Sequence, residues 1–232
     1  DPAPAMEQSS DNRVFIVIPA KDEATRIGGV LEELQEHGYR EVVVVDDAST
    51  DQTGAVASSR GAHVIRHRIN LGAGAATQTG ISYALDHGAD IIVTIDADHQ
   101  HSPADVPRII RHLKECGADF VLGSRFLQPG NHIPPTRVVY NKIANWINFA
   151  LTGLHVTDSQ TGFKAFTTKY ARNLRITHNG FEFCIEMLDH ARKTKVKLAE
   201  FPVRVFYTKE TMSKGQNLLT GIKMLYGLRK FF

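Results

Sequence analysis

The sequence predicts an α/β protein with a mainly parallel sheet flanked by helices. Short apolar runs of strand length recur through the first half, and several are rich in valine and isoleucine. Segments with apolar residues at helical spacing separate these runs. This alternation is typical of βαβ units. With 232 residues and 42% hydrophobic content, the chain is long enough to bury one full core.

The first half contains five expected strands and four expected helices. The strands are expected at 14–18, 42–45, 63–66, 91–95 and 120–122. The helices are expected at 27–34, 51–59, 73–87 and from 102 onward. The apolar residues from Ile27 to Leu34 follow the i, i+3, i+4, i+7 spacing of a helix with one buried face. Ser102 is expected to cap the last helix, with Pro103 in its first turn and Asp105 completing a capping box.

The pattern changes after Arg125. A loop containing Pro and Gly covers 127–135, and a helix is expected at about 136–151. Further elements are expected as strands at 163–166 and 198–206 and as helices at 181–191 and 217–232. We therefore expect one domain over 6–232 whose two halves share a sheet. Residues 1–5 are interpreted as a remnant of the way the chain was produced.

Charge and cysteine content restrict the class of protein. The net charge of +2 is too small to suggest a nucleic-acid partner. Ten Lys or Arg residues lie between Ala191 and Phe232 against only Glu200 and Glu210, so this end suits phosphate groups or an anionic membrane surface, although a solvated face would look the same. The two cysteines are far apart, which is typical of a reduced, cytosolic protein. No apolar run approaches the length of a membrane span, and no secretory signal is visible.

The segment Asp96-Ala97-Asp98-His99-Gln100 directly follows an apolar strand. Ligands of open α/β sheets bind at this end of the strands. Two carboxylates on one turn repel each other unless a cation lies beside them. Mg²⁺ or Mn²⁺ held by such carboxylates also binds substrate phosphates. The alternative is a solvent-facing turn before the next helix.

Two other strand ends carry polar or glycine-rich segments. Asp46 and Asp47 follow the second strand, where an acidic residue can accept hydrogen bonds from a nucleotide. A helix-capping turn is the alternative there. The glycines of 70–76 open a helix whose amides can face phosphate oxygens. The spacing alone favours a tight strand-to-helix connection over a phosphate loop.

Several motifs in order resemble family 2 glycosyltransferases. They are Pro19-Ala20-Lys21-Asp22-Glu23, Asp46-Asp47-Ala48-Ser49-Thr50-Asp51, Asn70-Leu71-Gly72, Asp96-Ala97-Asp98-His99-Gln100 and Gly123-Ser124-Arg125. The later segment 158–166 is similar to the branch that glycosylates dolichol and polyprenyl phosphates. The resemblance spans about 14–216. It implies a GT-A-type, Rossmann-like fold with acceptor-side elements at the C-terminal end: a nucleotide-sugar-binding half at 6–125 and an acceptor-binding half at 126–232.

The resemblance also implies roles for individual residues. Those expected to line the nucleotide pocket are Pro19, Ala20, Glu23, Asp46, Asp47 and Asp96. Those expected to hold Mg²⁺ or Mn²⁺ are Asp96, Asp98 and Gln100. The expected catalytic residues are Asp98, Arg125 and Asp158. Those expected at the acceptor phosphate are Arg137, Asn141, Glu186, Lys209 and Lys214.

The implied activity is an inverting, metal-dependent transfer of a sugar from a UDP- or GDP-sugar to a polyprenyl phosphate at the cytoplasmic face of the membrane. A phosphate acceptor is already anionic, whereas a hydroxyl acceptor would make Asp158 the preferred base. The alternatives are therefore a transferase acting on a sugar hydroxyl and a non-catalytic nucleotide-sugar-binding protein. Whether a small membrane-protein partner anchors the chain stays open.

The final helix, expected at 217–232, combines apolar positions with Lys223, Arg229 and Lys230. Such a basic amphipathic helix can lie in the membrane interface and give peripheral membrane contact. Docking onto the core is the alternative, because a packed terminal helix also needs an apolar stripe.

Overall fold

The computed structural model describes residues 12–180 and 182–207, and these residues form one seven-stranded sheet flanked by helices. The strands are β1 (Val14–Ala20), β2 (Val42–Asp46), β3 (His63–Arg66), β4 (Ile91–Thr94), β5 (Phe120–Ser124), β6 (Lys164–Thr167) and β7 (Leu198–Pro202). The helices are α1 (Ile27–Glu36), α2 (Thr53–Ser59), α3 (Ala73–Asp86), α4 (Val106–Glu115), α5 (Pro135–Thr152), α6 (Thr168–Ala171) and α7 (Phe183–Thr194).

The strand order is β3-β2-β1-β4-β6-β5-β7. All pairs are parallel except those that β6 makes with β4 and β5. The register aligns Ala20 at the end of β1 with Asp46 at the end of β2. The predicted mainly parallel sheet flanked by helices is therefore confirmed, with strands from both halves of the sequence.

The sheet has a core on each face because side chains alternate along its strands. In β1, Ile16 and Ile18 belong to the cluster that packs under α1, α2 and α4. Phe15 and Val17 belong to the opposite cluster, under α3, α6 and α7. Central strands buried on both faces explain the near-continuous apolar runs of the sequence.

Most predicted elements occur with shifted ends. The strand expected at 198–206 ends at Pro202, and beyond it Val205 makes only an isolated bridge with His101. The short helix α6 was not expected from the sequence. Prediction of element ends is weak because terminal hydrogen bonds depend on tertiary neighbours.

The expected capping box at Asp105 is wrong. The Ser102 hydroxyl does accept from the Ala104 amide at 3.3 Å, but it caps a short 3₁₀ turn that precedes α4. The Asp105 carboxylate accepts from the Arg204 amide at 2.9 Å instead. It therefore ties the start of α4 to the chain after β7.

Glycines at the start of α3 make room for a neighbouring loop. Gly72 has a φ of 92°, and a Cβ there would lie 2.4 Å from the Asn179 carbonyl oxygen. A Cβ at Gly74 would lie 2.0 Å from the His178 carbonyl oxygen. These two glycines therefore let the loop that contains His178 and Asn179 approach the start of α3.

Two predictions lie outside the described residues: the helix at 217–232 and the interpretation of residues 1–5. In the part of the chain that the structure covers, no helix combines the length and apolarity needed to cross a membrane. The division into a nucleotide-sugar-binding and an acceptor-binding half remains an interpretation.

Replacing Gly80 with alanine tests the contact between α3 and the sheet. A Cβ at Gly80 would lie 2.3 Å from Cγ1 of the buried Val17. We expect this overlap to lower the free energy of unfolding by about 1–3 kcal/mol. The control is Gly29→Ala in α1, where the nearest contact is 3.6 Å and alanine should gain about 0.5–1 kcal/mol. Chemical denaturation measures both, and equal changes in the two variants would contradict the packing described.

Candidate active site

A cleft of about 510 Å³ opens at the carboxyl edge of the sheet. Its wall includes the end of β1 and the residues that follow β2, β4 and β5. Its lining residues are Pro19, Ala20, Lys21, Glu23, Asp47, Asn70, Gly72, Ala73, Ala76, Asp96, Ala97, Asp98, Gln100, Arg125, Arg137, Asn141 and Gln160. Parallel strands ending at one edge bring these distant segments together, as expected for a ligand site of an open α/β sheet.

Asp96 and Asp98 lie on the turn that follows β4, and both line the cleft. Burial raises the pKa of Asp96, and the positive charges of Lys164 and Arg125 oppose this rise. Burial and then the negative charge of Asp96 raise the pKa of Asp98 to about 6. Ionising both carboxyls is therefore costly without a compensating cation.

The backbone of this turn is shaped around the two carboxylates. Oδ1 of Asp98 accepts from the Gln100 amide at 3.0 Å, and His99 between them has a φ of 60°. A Cβ at Gly162 would lie 2.0 Å from the Asp96 carboxylate, so that carboxylate occupies space that only glycine leaves open. The turn thus presents two carboxylates and the Gln100 side chain to one cleft.

These three side chains fit a divalent cation that also binds the substrate. Their oxygens are the ligand type that Mg²⁺ and Mn²⁺ prefer. Among residues 12–180 and 182–207, no group of three or more His, Cys, Asp or Glu side chains could hold a metal. An ion at Asp96, Asp98 and Gln100 would therefore need further ligands, which a diphosphate supplies.

Arg125 follows β5 and is held by a buried ion pair. Its Nε donates to Oδ2 of Asp158 at 2.6 Å, and its backbone amide donates to the same oxygen at 3.2 Å. Asp158 has no exposed surface and does not line the cleft, whereas Arg125 does. Its Oδ1 is also buried and has no hydrogen-bond partner among the described residues. Asp158 thus orients Arg125 and does not itself face the cleft.

Tyr207 contacts the same arginine. Its hydroxyl accepts from Nη1 of Arg125 at 3.1 Å. Burial lowers the pKa of Arg125, but Asp158 and Tyr207 outweigh it and raise that pKa above its ordinary value. The guanidinium is therefore charged and oriented from two sides.

Asp46 and Asp47 have different surroundings although they are adjacent. Asp46 is fully buried, accepts from the Ser49 amide at 2.8 Å and does not line the cleft, which matches the turn-forming alternative. Asp47 lines the cleft. Its carboxylate accepts from the amides of Leu71 and Gly72 and contacts Nδ1 of His67, all at 2.7–2.8 Å. Burial raises the pKa of Asp47, but these hydrogen bonds lower it overall.

Glu23 completes the acidic side of the cleft. Its Oε2 accepts from Nε of Arg26 at 2.7 Å, and its backbone amide donates to the Thr53 hydroxyl at 2.8 Å. Pro19 and Ala20, at the end of β1, also line the cleft. Their expected contact with the nucleotide stays a prediction.

The predicted acceptor residues divide into three groups. Arg137 and Asn141 lie one turn apart on α5, and both line the cleft. Glu186 does not: its carboxylate accepts from the amides of Thr177 and His178, each at 2.9 Å. Burial raises the pKa of Glu186, but these partners lower it overall. Lys209 and Lys214 lie outside the described residues.

The sequence reasoning missed Gln160 and Lys164. Gln160 lines the cleft. Lys164 is 1% exposed. Its ammonium donates a hydrogen bond to the Thr161 carbonyl and lies 3.6 Å from Sγ of Cys184. Its charge acts on Asp96 from within the core. Both belong to the segment 158–166, from which only Asp158 was assigned a role. No local signal in the sequence indicated the burial of Lys164, which lies within a strand.

A nucleotide-sized cleft at the carboxyl edge of this sheet, with a carboxylate pair on the turn after β4, defines a GT-A-type glycosyltransferase. Residues 15–175 match the family described as "Glycosyl transferase family 2". The chain therefore belongs to glycosyltransferase family 2.

Named relatives and a solved structure agree with this assignment. A UDP-N-acetylglucosamine–dolichyl-phosphate N-acetylglucosaminyltransferase of Methanococcus voltae is 34% identical, over 94% of this chain and 96% of the relative. An undecaprenyl-phosphate mannosyltransferase of Micrococcus luteus is 29% identical, over 82% of each. Glucosyl-3-phosphoglycerate synthase of Mycobacterium tuberculosis, in complex with Mn²⁺, uridine diphosphate and glucosyl-3-phosphoglycerate, has a TM-score of 0.69 at 21% identity, covering 94% of this chain and 80% of that one. This last likeness concerns the fold.

Asp158→Asn should destabilise the protein strongly. The change leaves the Arg125 guanidinium buried without its charge partner, which costs about 3–5 kcal/mol of the free energy of unfolding. The control is Glu41→Gln, which removes a surface ion pair with Arg13. The side chains of Glu41 and Arg13 are 47% and 50% exposed. That loss should stay below about 1 kcal/mol. Urea denaturation distinguishes the two, and similar losses would show that the Arg125–Asp158 pair is not buried as described.

Asp98→Asn should stabilise the protein at neutral pH when a chelator is present. Because the folded-state pKa of Asp98 lies near 6, above the usual 3.8, ionising this group penalises the folded state. The penalty is absent below pH 3.8, grows between the two pKa values and reaches up to about 3 kcal/mol above pH 6. The variant should therefore exceed the parent in stability at pH 7.5 and match it near pH 3.5, as measured by thermal unfolding. A constant difference at both pH values would contradict this assignment.

Proposed function

We propose that this glycosyltransferase carries out an inverting transfer of a sugar from a nucleotide sugar to a polyprenyl phosphate. One observation carries the proposal. Two arginines, Arg125 and Arg137, line the cleft, whereas the carboxylate of Asp158 is buried and does not line it. The two named relatives support the acceptor class, since both names specify a polyprenyl-type phosphate. Their names differ in the sugar, so the sugar is left to experiment.

The acceptor end of the cleft suits a phosphate. Arg125 and Arg137 line it together with Asn141. A guanidinium can bind phosphate oxygens through two parallel hydrogen bonds, and an amide can add another. No Asp or Glu occurs from residue 120 to residue 157. The segment that contributes these three residues therefore does not oppose an anionic acceptor.

In the proposal, each carboxylate that lines the described cleft already has another role. Glu23 is paired with Arg26, and Asp47 accepts hydrogen bonds from two backbone amides. Asp96 and Asp98 are the cation ligands of the proposal. A hydroxyl acceptor needs a base within hydrogen-bond reach. A phosphate acceptor is already ionised, so the proposed reaction does not need one.

The donor would bind over the floor formed by Pro19, Ala20 and Asp47, with its diphosphate towards Asp98. Mg²⁺ or Mn²⁺ held by Asp96, Asp98 and Gln100 would stabilise the charge of the departing diphosphate as a Lewis acid. The solved relative contains Mn²⁺ and uridine diphosphate, which supports a divalent ion and makes uridine donors the first to test.

In the proposed step, an oxygen of the acceptor phosphate attacks the anomeric carbon as the bond to the nucleoside diphosphate breaks. The electron pair of that bond leaves with the diphosphate, and no proton needs to be removed. Arg137 and Asn141 orient the acceptor, and Arg125 adds positive charge near the reacting groups. The sugar passes through a transition state with oxocarbenium character.

The reaction would take place at the cytoplasmic face of a membrane. A polyprenyl phosphate resides in a bilayer, and nucleotide sugars are supplied in the cytoplasm. The proposal accordingly assigns the chain a peripheral position there.

A donor and acceptor screen tests the proposal. Purified chain with Mg²⁺ or Mn²⁺ is given UDP-N-acetylglucosamine first and then other UDP- and GDP-sugars, with and without a short-chain polyprenyl phosphate. Release of nucleoside diphosphate is measured. We expect release that the lipid phosphate stimulates, that a chelator abolishes and that Asp98→Ala lowers by about 100-fold or more, as expected for loss of transition-state charge stabilisation.

Glu41→Gln, a surface change remote from the cleft, is the control and should keep full activity. Release that the matching polyprenol stimulates as well as the phosphate would move the assignment to a hydroxyl acceptor. No acceptor-dependent release with any donor would reject a polyprenyl phosphate acceptor.

A further inference from the structure

Glu33 connects helix α1 to the turn that carries the carboxylate pair. Its Oε2 accepts a hydrogen bond from Nε2 of His99 at 3.0 Å, and its Oε1 accepts one from the hydroxyl of Ser102 at 3.1 Å. These partners lie 66 and 69 residues away in the chain. An ionised carboxylate only accepts hydrogen bonds, so Nε2 of the imidazole carries a proton. One side chain thus holds the segment 99–102 at both of its ends.

His99 needs such support because of its backbone conformation. Its φ of 60° lies in the left-handed region, which is costly for a residue with a Cβ. A conformation of this kind persists where the surrounding structure holds it. The ring of His99 lies against α1, since a Cβ added at Gly29 would be 3.6 Å from its Cε1 and its Nδ1. Glu33 therefore fixes, through Nε2, a ring that already packs on the helix.

The other end of the segment is fixed at Ser102. The hydroxyl of Ser102 donates to Glu33 and accepts from the Ala104 amide at 3.3 Å. Between the two ends, the carbonyl of Gln100 accepts from the Phe206 amide at 2.9 Å. The turn after β4 is thus tied to α1, to the 3₁₀ turn before α4 and to the chain after β7.

This support acts on the proposed cation ligands, although Glu33 is not among the described residues that line the cleft. Asp98 and Gln100 flank His99, and Oδ1 of Asp98 accepts from the Gln100 amide at 3.0 Å. The torsion angles of His99 set the position of that amide relative to Asp98. A change of His99 to an ordinary negative φ would therefore move the amide and the side chain of Gln100 away from Asp98.

We propose that Glu33 is a positioning residue for a divalent cation at this turn. By holding His99 and Ser102, it keeps the oxygens of Asp98 and Gln100 directed into one cleft before the cation binds. Groups that hydrogen-bond around a metal site orient its ligands and raise its affinity in this way. The inference rests on the proposed function only where that function places Mg²⁺ or Mn²⁺ at this turn, and it does not depend on the acceptor.

Binding of Mn²⁺ measures this role without any transfer of sugar. The full chain is titrated with Mn²⁺ in the presence of UDP, and in a second series of GDP, because a diphosphate supplies the further ligands. Electron paramagnetic resonance measures the free Mn²⁺. We expect Glu33→Ala to raise the Kd for Mn²⁺ about tenfold, as is typical when an outer hydrogen-bond partner of a metal site is lost.

Glu32→Ala is the matched control. Glu32 is the neighbouring residue of α1, its side chain is 56% exposed, and its carboxylate pairs with Arg60. The variant removes the same group from the same helix and leaves the turn after β4 intact, so the Kd for Mn²⁺ should stay that of the parent. An equal rise in Kd for both variants would show a general effect of α1 and would overturn the proposal.

Glu33→Gln separates hydrogen bonding from charge. The amide of glutamine can still accept from Nε2 of His99 and can donate to the hydroxyl of Ser102. We therefore expect Glu33→Gln to keep most of the Mn²⁺ affinity that Glu33→Ala loses. If the two variants bound Mn²⁺ equally weakly, the effect would be due to the negative charge of Glu33, which contradicts a positioning role.

A double-mutant cycle tests whether Glu33 acts through His99. His99→Ala should weaken Mn²⁺ binding by itself. Glu33→Ala should then have a clearly smaller effect in the His99→Ala background than in the parent, because the shared hydrogen bond is already lost. Fully additive effects would mean that the two side chains act independently, and the proposal would be wrong.

Hydrogen exchange of the metal-free chain gives an independent measurement. Glu33→Ala should speed exchange of the amides in 98–104 and leave those of β1 unchanged. The side chain of Glu33 is 28% exposed, so the variant should fold, and thermal unfolding checks this. Unchanged exchange in 98–104 would overturn the proposal.

The parent chain separates this proposal from the proposed function. Mn²⁺ binding by the parent that Glu33→Ala does not weaken would defeat only the positioning role. No Mn²⁺ binding by the parent with either nucleotide would defeat the cation site of the proposed function, and with it the role of Glu33. An effect of Glu33→Ala on Mn²⁺ binding, in a chain that transfers no sugar to a polyprenyl phosphate, would defeat only the acceptor assignment.

Discussion

The buried ion pair between Arg125 and Asp158 is the interaction on which the site depends. Arg125 follows β5, and Asp158 precedes the antiparallel strand β6, so the pair closes the edge of the sheet around the cleft. A buried carboxylate is stable only when it is paired and hydrogen-bonded. Asp158 is fully buried in this pair and does not line the cleft, whereas Arg125 does.

The rest of the chemistry follows from where charge is placed. Carboxylates gather on the turn after β4, where burial and mutual repulsion favour a cation. Arg125, which follows β5, and Arg137, on α5, line the same cleft, and the charge of Arg125 acts on Asp96. The proposed reaction uses both kinds of charge, since the departing diphosphate and the incoming phosphate are both negative.

Much of this arrangement could be predicted from the sequence, and the exceptions have a common cause. The parallel strands and α1 follow from local periodicity, and Asp96 and Asp98 follow from their place after an apolar strand. The surroundings of Asp158 and Glu186 do not, because they depend on partners that are distant in the chain or on the path of a loop. Lys164 was missed for a related reason: a lysine within a strand gives no local sign of being buried.

The central claim is that the acceptor oxygen belongs to a phosphate. A competition measures this most directly. The chain, a divalent cation and the donor found by screening are given equal amounts of a short-chain polyprenyl phosphate and the corresponding polyprenol, and the products are identified by mass spectrometry. The account predicts that the sugar is found on the phosphate alone. Sugar attached to the polyprenol, in amounts comparable with the phosphate product, would contradict it.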